Sequence, residues 1–112
     1  MKKMEIIIRP SRLDAVKEAL TAHGCKGMNV TEISGFGRQR GHMEIYRGAE
    51  YQIDLVPKIK VEAVLDQGGL QEAVEAVLEA ARTGKVGDGK IFISAVEEVV
   101  RIRTGERGLN AL

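Results

Sequence analysis

The chain has 112 residues, a formal net charge of +1, 29% charged and only 4% aromatic residues. This length predicts a single domain, and the balanced charge argues against a protein that coats nucleic acid or binds membranes through a polybasic surface. A lone cysteine excludes an internal disulfide framework. The longest early apolar run, residues 6–8, is too short for a signal peptide or a membrane span, so we expect a reducing, cytoplasmic setting.

The first third of the chain predicts a strand, a helix and a second strand. Residues 4–9 contain three consecutive β-branched isoleucines, which favour a strand, and Pro10 ends it because proline cannot donate to a sheet ladder. Apolar residues at helical spacing predict a helix over residues 12–22, with Ser11 as its N-cap. Residues 28–36 alternate as the second strand.

A polar, glycine-rich stretch then runs from Gly37 to about Asp54. A connection this long in a compact domain is usually functional. In the next predicted strand, residues 55–65, apolar side chains alternate with Lys58, Lys60 and Glu62, which are expected on the opposite face. The remaining predicted elements are a helix from Leu70 to Ala81, a glycine-rich loop at 83–90, a strand at 91–96 and a short extra strand at 99–103.

This order of elements is that of a split βαβ repeat. It predicts the α+β class and a ferredoxin-like βαββαβ sandwich, with a long loop between its second and third strands. Right-handed crossovers place both helices on one face of a four-stranded antiparallel sheet. Strands 4–9 and 91–96 are expected to carry apolar residues on both sides. A sheet face that is apolar but lacks helices implies a homo-oligomer.

Glycines cluster in two loops that also carry basic residues, which points to a phosphate site. Glycine lets the backbone approach a ligand, and successive backbone N–H groups can hold anionic oxygens, although plain turn chemistry is the alternative for either loop alone. Residues 84–90 nearly match a P-loop, but Ile91 replaces the required Ser or Thr, and the segment runs from helix to strand. We expect phosphate binding through backbone amides and Lys90 instead.

Arg101 and Arg103 flank Ile102 on a strand-like stretch, so both are expected to point the same way. Two parallel guanidiniums suit a polyphosphate, because each offers paired donors; a solvated, charged strand end is the alternative. The sequence shows no nucleophile–base–acid set and no paired-carboxylate signature. An enzyme is therefore not the favoured interpretation.

Several long motifs, in order, resemble the PII nitrogen-regulatory signal-transduction protein family. Residues 46–51, YRGAEY, match its loop motif Y-[KR]-G-[AS]-[AE]-Y, and residues 83–92, TGKVGDGKIF, match its second signature. Residues 35–42, GFGRQRGH, and 101–106, RIRTGE, resemble its other segments. The resemblance implies one PII domain over residues 1–112, with a partner-binding loop at about 37–55, a phosphate loop at 83–90 and a C-terminal loop at 101–108.

The resemblance further implies a homotrimer that binds ATP or ADP in clefts between subunits. Phosphates would meet Gly87, Gly89 and Lys90 of one subunit, with Arg101 and Arg103 reaching in from its neighbour. Asn29 stands where a threonine near the adenine is common, a difference that would alter nucleotide preference slightly. The full set implied for nucleotide is Ile7, Asn29, Gly35, Gly37, Arg38, Gln39, Val64, Thr83, Gly87, Asp88, Gly89, Lys90, Arg101 and Arg103.

A second ligand, 2-oxoglutarate, is implied beside the nucleotide. Gln39 would ligate Mg²⁺, the acid would chelate that ion, and Lys58 would pair with a carboxylate of the acid. The residues implied for the acid are Gln39, Arg40, Gly41 and Lys58. Because the acid needs Mg-ATP, the two ligands should favour each other reciprocally, whereas ADP lacks the γ-phosphate and should not support the same site.

By the same resemblance, ligand binding would change the shape of the long loop and its contacts with partners. Tyr51 resembles a uridylylation site, which implies a uridylyltransferase, and Arg47 resembles a side chain that plugs an ammonium channel. The implied function is a sensor of nitrogen, carbon and energy status that regulates an ammonium transporter or glutamine synthetase regulatory enzymes. It would meet a membrane only through the transporter and bind no nucleic acid.

Two alternatives on the same fold stay open. One is a weak nucleotide-hydrolysing enzyme with a trace ATPase rate, and the other is an interaction module that needs no ligand. An RNA-binding module shares the order of elements, but its central strands need aromatic residues, and here Phe92 is nearly alone.

Overall fold

The computed structural model describes residues 1–36 and 55–112, together with the backbone of residues 43–46 and 49–52. The elements in chain order are β1 (Lys2–Ile8), α1 (Leu13–Ala22), β2 (Asn29–Gly35), β3 (Met43–Tyr46), β4 (Ala49–Gln52), β5 (Val56–Leu65), α2 (Leu70–Ala81) and β6 (Lys90–Ala95). Short 3₁₀ turns lie at Pro10–Arg12, Gln67–Gly69 and Gly108–Ala111. Neither α-helix of these described ranges is long and apolar enough to cross a membrane.

Four strands form one antiparallel sheet in the order β2-β5-β1-β6, which confirms the ferredoxin-like prediction. The other two strands, β3 and β4, pair with each other, with Met43 opposite Gln52. They lie inside the stretch predicted as a loop, so that stretch contains regular structure.

The core lies between one face of the sheet and both helices. From Met4 in β1 and from Ile59 in β5 every second side chain is buried, as the alternation predicted for β5, and the helices add their apolar stripes. Both helices contribute to the same core, so both lie on the same side of the sheet. The buried apolar residues are Met4, Ile6, Ile8, Val16, Leu20, Cys25, Ile59, Val61, Ala63, Leu65, Ala73, Val77 and Ala81.

The sequence predicted the C-terminal end of α1 correctly but not its N-terminal end. Ser11 is not the N-cap: it lies inside a 3₁₀ turn that begins at Pro10, and no side chain caps the helix. The C-terminal end closes as predicted at Gly24, whose φ is 84°. There the Cys25 N–H donates to the Leu20 carbonyl at 3.0 Å, which is the pairing of a Schellman motif.

The sheet face without helices, here called the open face, is more polar than the sequence suggested. Antiparallel register places Glu5 of β1 opposite Glu62 of β5 and Phe92 of β6. Lys3 pairs with Glu62 at 2.7 Å, and Lys60 with Glu5 at 3.5 Å. The prediction of an apolar open face is therefore wrong at Glu5 of β1, although it holds at Ile7. The homotrimer stays a prediction that needs another argument.

The predicted strand at 99–103 is also absent. Val100 makes an isolated bridge to Arg107, and the Gly105 N–H donates to the Arg101 carbonyl at 2.8 Å. The chain turns back on itself here, because Gly105 adopts a φ of 72°. Without a strand, the argument that Arg101 and Arg103 project side by side from one edge no longer holds.

Candidate functional site

The loop at 83–90 connects α2 to β6, and its glycines fix its path. Gly84, Gly87 and Gly89 have φ values of 86°, 101° and 105°, which L-residues with side chains rarely adopt. A Cβ at Gly89 would lie 1.7 Å from the carbonyl oxygen of Ile7 in β1. The backbone of the 83–90 loop therefore rests directly on the sheet, in a place that only glycine can occupy.

The carboxylate of Asp88 organises this loop from within. The backbone N–H groups of Thr83 and Gly84 each donate to Asp88 Oδ2 at 2.8 Å, and the Thr83 hydroxyl donates to Oδ1. Arg9 Nε donates to Oδ1 at 3.1 Å, and Arg9 Nη2 donates to the Val86 carbonyl at 2.8 Å. The donors, with the Thr83 hydroxyl foremost, hold the pKa of Asp88 far below its usual range.

A pH series should detect the Asp88 carboxylate. Its pKa is lower in the folded chain than the unfolded value of about 3.9, so its stabilisation is present above about pH 4 and is lost as the pH falls further. We expect the difference in unfolding free energy between wild type and Asp88→Asn to shrink below pH 4, as measured by urea unfolding from pH 2 to 7. Other carboxylates are common to both proteins and cancel, and a gap that does not change with pH would contradict the assignment.

Lys58 lies beneath the same loop. It is on the open face, as predicted, yet it is only 8% exposed, and its ammonium donates to the Gly87 carbonyl. Burial, chiefly, and the positive charge of Arg9 lower the pKa of Lys58, while Asp88 acts in the opposite direction. A buried cation next to glycine amides is a favourable setting for an anion.

These elements surround a cleft of about 660 Å³, here called the loop cleft. Its wall combines backbone of the 83–90 loop with apolar side chains that include Phe36 and Phe92, which are 77% and 53% exposed. A cleft with one cationic and one apolar side suits a ligand that has both an anionic and a flat apolar part. The predicted ligand residues that it brings together are Ile7, Gly35, Lys58, Gly87, Asp88, Gly89 and Lys90.

Two other predicted nucleotide residues lie elsewhere. Asn29 and Val64 line a separate cleft of about 810 Å³, here called the tail cleft because Leu109 and Leu112 of the C-terminal segment also line it. Since a strand rises about 3.3 Å per residue, Lys58 and Val64 lie about 20 Å apart along β5. Both clefts adjoin the open face, but they lie towards opposite ends of it.

Arg101 belongs with the tail cleft. Its guanidinium pairs with Glu106 at 3.0 Å and donates to the Leu112 carbonyl at 3.0 Å, which connects it to the segment that lines this cleft. Arg103 is exposed within the following turn, beside a fully exposed Ile102. Within the described ranges, the two arginines are thus not part of the loop cleft of their own chain.

Some predicted residues cannot be placed. Gly37, Arg38, Gln39, Arg40, Gly41 and Arg47 lie outside the described residues, and for Tyr51 only the backbone in β4 is described. The predicted Mg²⁺ ligand, Gln39, is in this group. Among residues 1–36 and 55–112, no cluster of His, Cys, Asp and Glu could hold a metal ion.

Arg9 is the residue that sequence reasoning missed. Its partner Asp88 lies 79 positions away, and neither periodicity nor a local motif connects the two. The available signal was weak: a basic residue follows an apolar strand, and an acidic residue interrupts an otherwise cationic glycine loop. Such an acid in a candidate anion site needs a compensating cation, and the structure supplies it.

Comparison with known proteins agrees with these motifs. The family model for Nitrogen regulatory protein P-II matches residues 1–106. Proteins of that name from Mesorhizobium japonicum and Azospirillum brasilense are each 59% identical over 112 residues, and one from Rhizobium meliloti is 60% identical; each match covers all of both chains. The chain therefore belongs to the P-II nitrogen regulatory protein family.

Proposed function

We propose that this chain regulates nitrogen metabolism as a ligand sensor that binds ATP or ADP, and 2-oxoglutarate together with Mg-ATP. The observation that carries the proposal is the loop cleft, which is lined by Gly87 and Gly89 together with the cations Lys58 and Lys90. Successive glycine amides with nearby cations form a site for phosphate oxygens. The exposed rings of Phe36 and Phe92 offer an apolar surface at the same cleft.

The separation of the two clefts supports a site shared between subunits. Lys58 and Val64 are about 20 Å apart along β5, so the predicted residues of the loop cleft and of the tail cleft would meet around one nucleotide only across an interface between two chains. A homotrimer whose open faces come together would bring the loop cleft of one copy to the tail cleft of the next. Arg101 and Arg103 would then approach the phosphates from the neighbour.

Regulation fits the described side chains better than hydrolysis does. Among the described residues that line the loop cleft, Asp88 is the acidic one, and its carboxylate oxygens accept hydrogen bonds from Thr83, Gly84 and Arg9. With its pKa held far below the usual range, it is a poor general base for an attacking water.

Mg²⁺, when bound through Gln39, would supply positive charge to both the nucleotide and the acid. The proposed readouts are partner contacts of the long loop through Arg47 and Tyr51, with an ammonium transporter or glutamine synthetase regulatory enzymes.

Mixing two impaired variants tests the shared site. Arg103→Ala should weaken ATP binding by about 1–3 kcal/mol, the scale of a charged hydrogen bond, and Lys90→Ala should do likewise. If the chains form trimers with sites between subunits, refolding equal amounts of the two variants together should restore about one quarter of the sites to wild-type affinity. Isothermal titration calorimetry measures this fraction.

The control is each variant refolded alone, which should show no high-affinity sites. A mixture that recovers nothing, although size-exclusion chromatography shows mixed oligomers, would place the whole site within one chain. No binding of ATP or ADP to the wild-type protein would instead favour an interaction module that needs no ligand.

A further inference from the structure

A carboxylate in the wall of an anion site requires an explanation. Asp88 stands between Gly87 and Gly89, the two glycines whose backbone lines the loop cleft. An uncompensated negative charge there would repel a polyphosphate. Its oxygens, however, accept hydrogen bonds from Thr83, Gly84 and Arg9, and its side chain is only 24% exposed. The carboxylate is thus directed into the loop and paired with a cation.

Arg9 is held in place to make that pairing. It follows the last residue of β1, and because Pro10 comes next, its backbone is restricted to the extended region that it adopts, with φ −64° and ψ 141°. Its guanidinium uses two nitrogens on two different acceptors of the 83–90 loop, Asp88 Oδ1 and the Val86 carbonyl. A planar fork of donors suits this two-point contact, and an ammonium does not.

The two strand cations also orient the peptide groups of the loop. Arg9 binds the Val86 carbonyl, and Lys58 binds the Gly87 carbonyl. In a planar trans peptide the C=O and the following N–H point in opposite directions. Fixing these two carbonyls towards the sheet therefore directs the N–H groups of Gly87 and Asp88 away from it.

We propose that Arg9 and Asp88 are positioning residues, whose side chains hold the 83–90 loop in the shape that binds a polyphosphate without contacting the polyphosphate themselves. This inference rests on the proposed nucleotide function. Arg9 has two effects in it: it neutralises the carboxylate, and it fixes the loop through the Val86 carbonyl. Asp88 in turn ties the start of the loop, at Thr83 and Gly84, to its end.

A double-mutant cycle with Arg9→Met and Asp88→Asn separates positioning from direct contact. We expect each single change to weaken ATP binding about 10- to 100-fold and AMP binding much less. The ATP affinity of the double variant should equal that of the single variant that binds ATP more weakly. Arg9→Lys should recover only part of the loss, because lysine cannot make the two-point contact. Calorimetry with AMP, ADP and ATP gives the affinities. The matched control is Lys17→Met, which removes one positive charge from an exposed position on α1.

Additive effects of the two changes would show that Arg9 contacts the ligand directly and would overturn the proposal. An equal loss for all three nucleotides would overturn it too, because that indicates general destabilisation. If the wild type binds no nucleotide, the proposed function fails and tripolyphosphate replaces the nucleotides as the probe. The role of Arg9 and Asp88 then stands only if three results are obtained. Tripolyphosphate must bind to the wild type, Arg9→Met must weaken this binding, and Arg9→Met must speed amide hydrogen exchange at Thr83 and Gly84.

Discussion

Replacing Gly89 with alanine should abolish nucleotide binding and lower the free energy of unfolding by at least about 2 kcal/mol. Two costs combine at this position. The φ of 105° is strained for any residue with a side chain, and the new Cβ would lie 1.7 Å from the Ile7 carbonyl oxygen. Ile7 belongs to β1, which pairs with β5 on one side and β6 on the other, so its backbone cannot move aside. The loop must move instead, and the amide groups of the loop cleft move with it.

Gly84→Ala is the matched control for this prediction. Gly84 has a similar φ of 86°, but nothing lies within 4 Å of a Cβ built there. Its replacement should therefore carry only the conformational cost, about 1–2 kcal/mol, and leave most of the ATP affinity. Urea unfolding and calorimetry on both variants give the comparison. Equal losses of affinity would show that contact with β1 does not set the shape of the loop.

The sequence predicted most of the fold because the core depends on patterns that are local. The alternation in β5 and the helical stripe of α2 each identify their buried face without knowledge of the partner. The misses lie where a tertiary contact competes with a local preference. Ser11 is a good N-cap residue, yet Pro10 begins a 3₁₀ turn that includes it. Residues 99–103 favour a strand, yet Gly105 turns the chain back first.

The candidate site was predicted less completely, and for a physical reason. A glycine-rich loop in a sequence indicates a backbone that can bind anions, but it does not indicate which side chains hold that backbone in shape. Lys58 was expected on the outer face of its strand, and it is there, but the 83–90 loop covers it, a contact between positions 29 apart. Arg9 and Asp88 are further apart still. Such pairs follow from the topology of the sheet, which places the end of β1 beside the start of β6.

Lys58 connects the two ligands that the proposed function requires. Its ammonium already binds the Gly87 carbonyl of the 83–90 loop, so a dicarboxylic acid that pairs with Lys58 would act on the same loop that we propose to hold the phosphates. Burial lowers the pKa of this ammonium, which means that the charge has lost part of its solvation. A carboxylate placed against it would restore that stabilisation and raise the pKa again. The reciprocal binding of Mg-ATP and 2-oxoglutarate then has a defined contact through which to act.

Lys58→Met should therefore abolish 2-oxoglutarate binding in the presence of Mg-ATP, at least about 100-fold, the scale for one partner removed from a buried ion pair. ADP affinity should fall about fivefold, or about 1 kcal/mol, because the substitution removes the hydrogen bond from Lys58 to the Gly87 carbonyl that shapes the loop. Lys60→Met is the matched control. Lys60 is also a lysine on the open face of β5, but it pairs with Glu5 and Glu62 at 3.5 and 3.7 Å. Calorimetry with each ligand distinguishes the two roles of Lys58. An equal loss of both ligands would mean that Lys58 acts only by supporting the loop, and that the acid binds elsewhere.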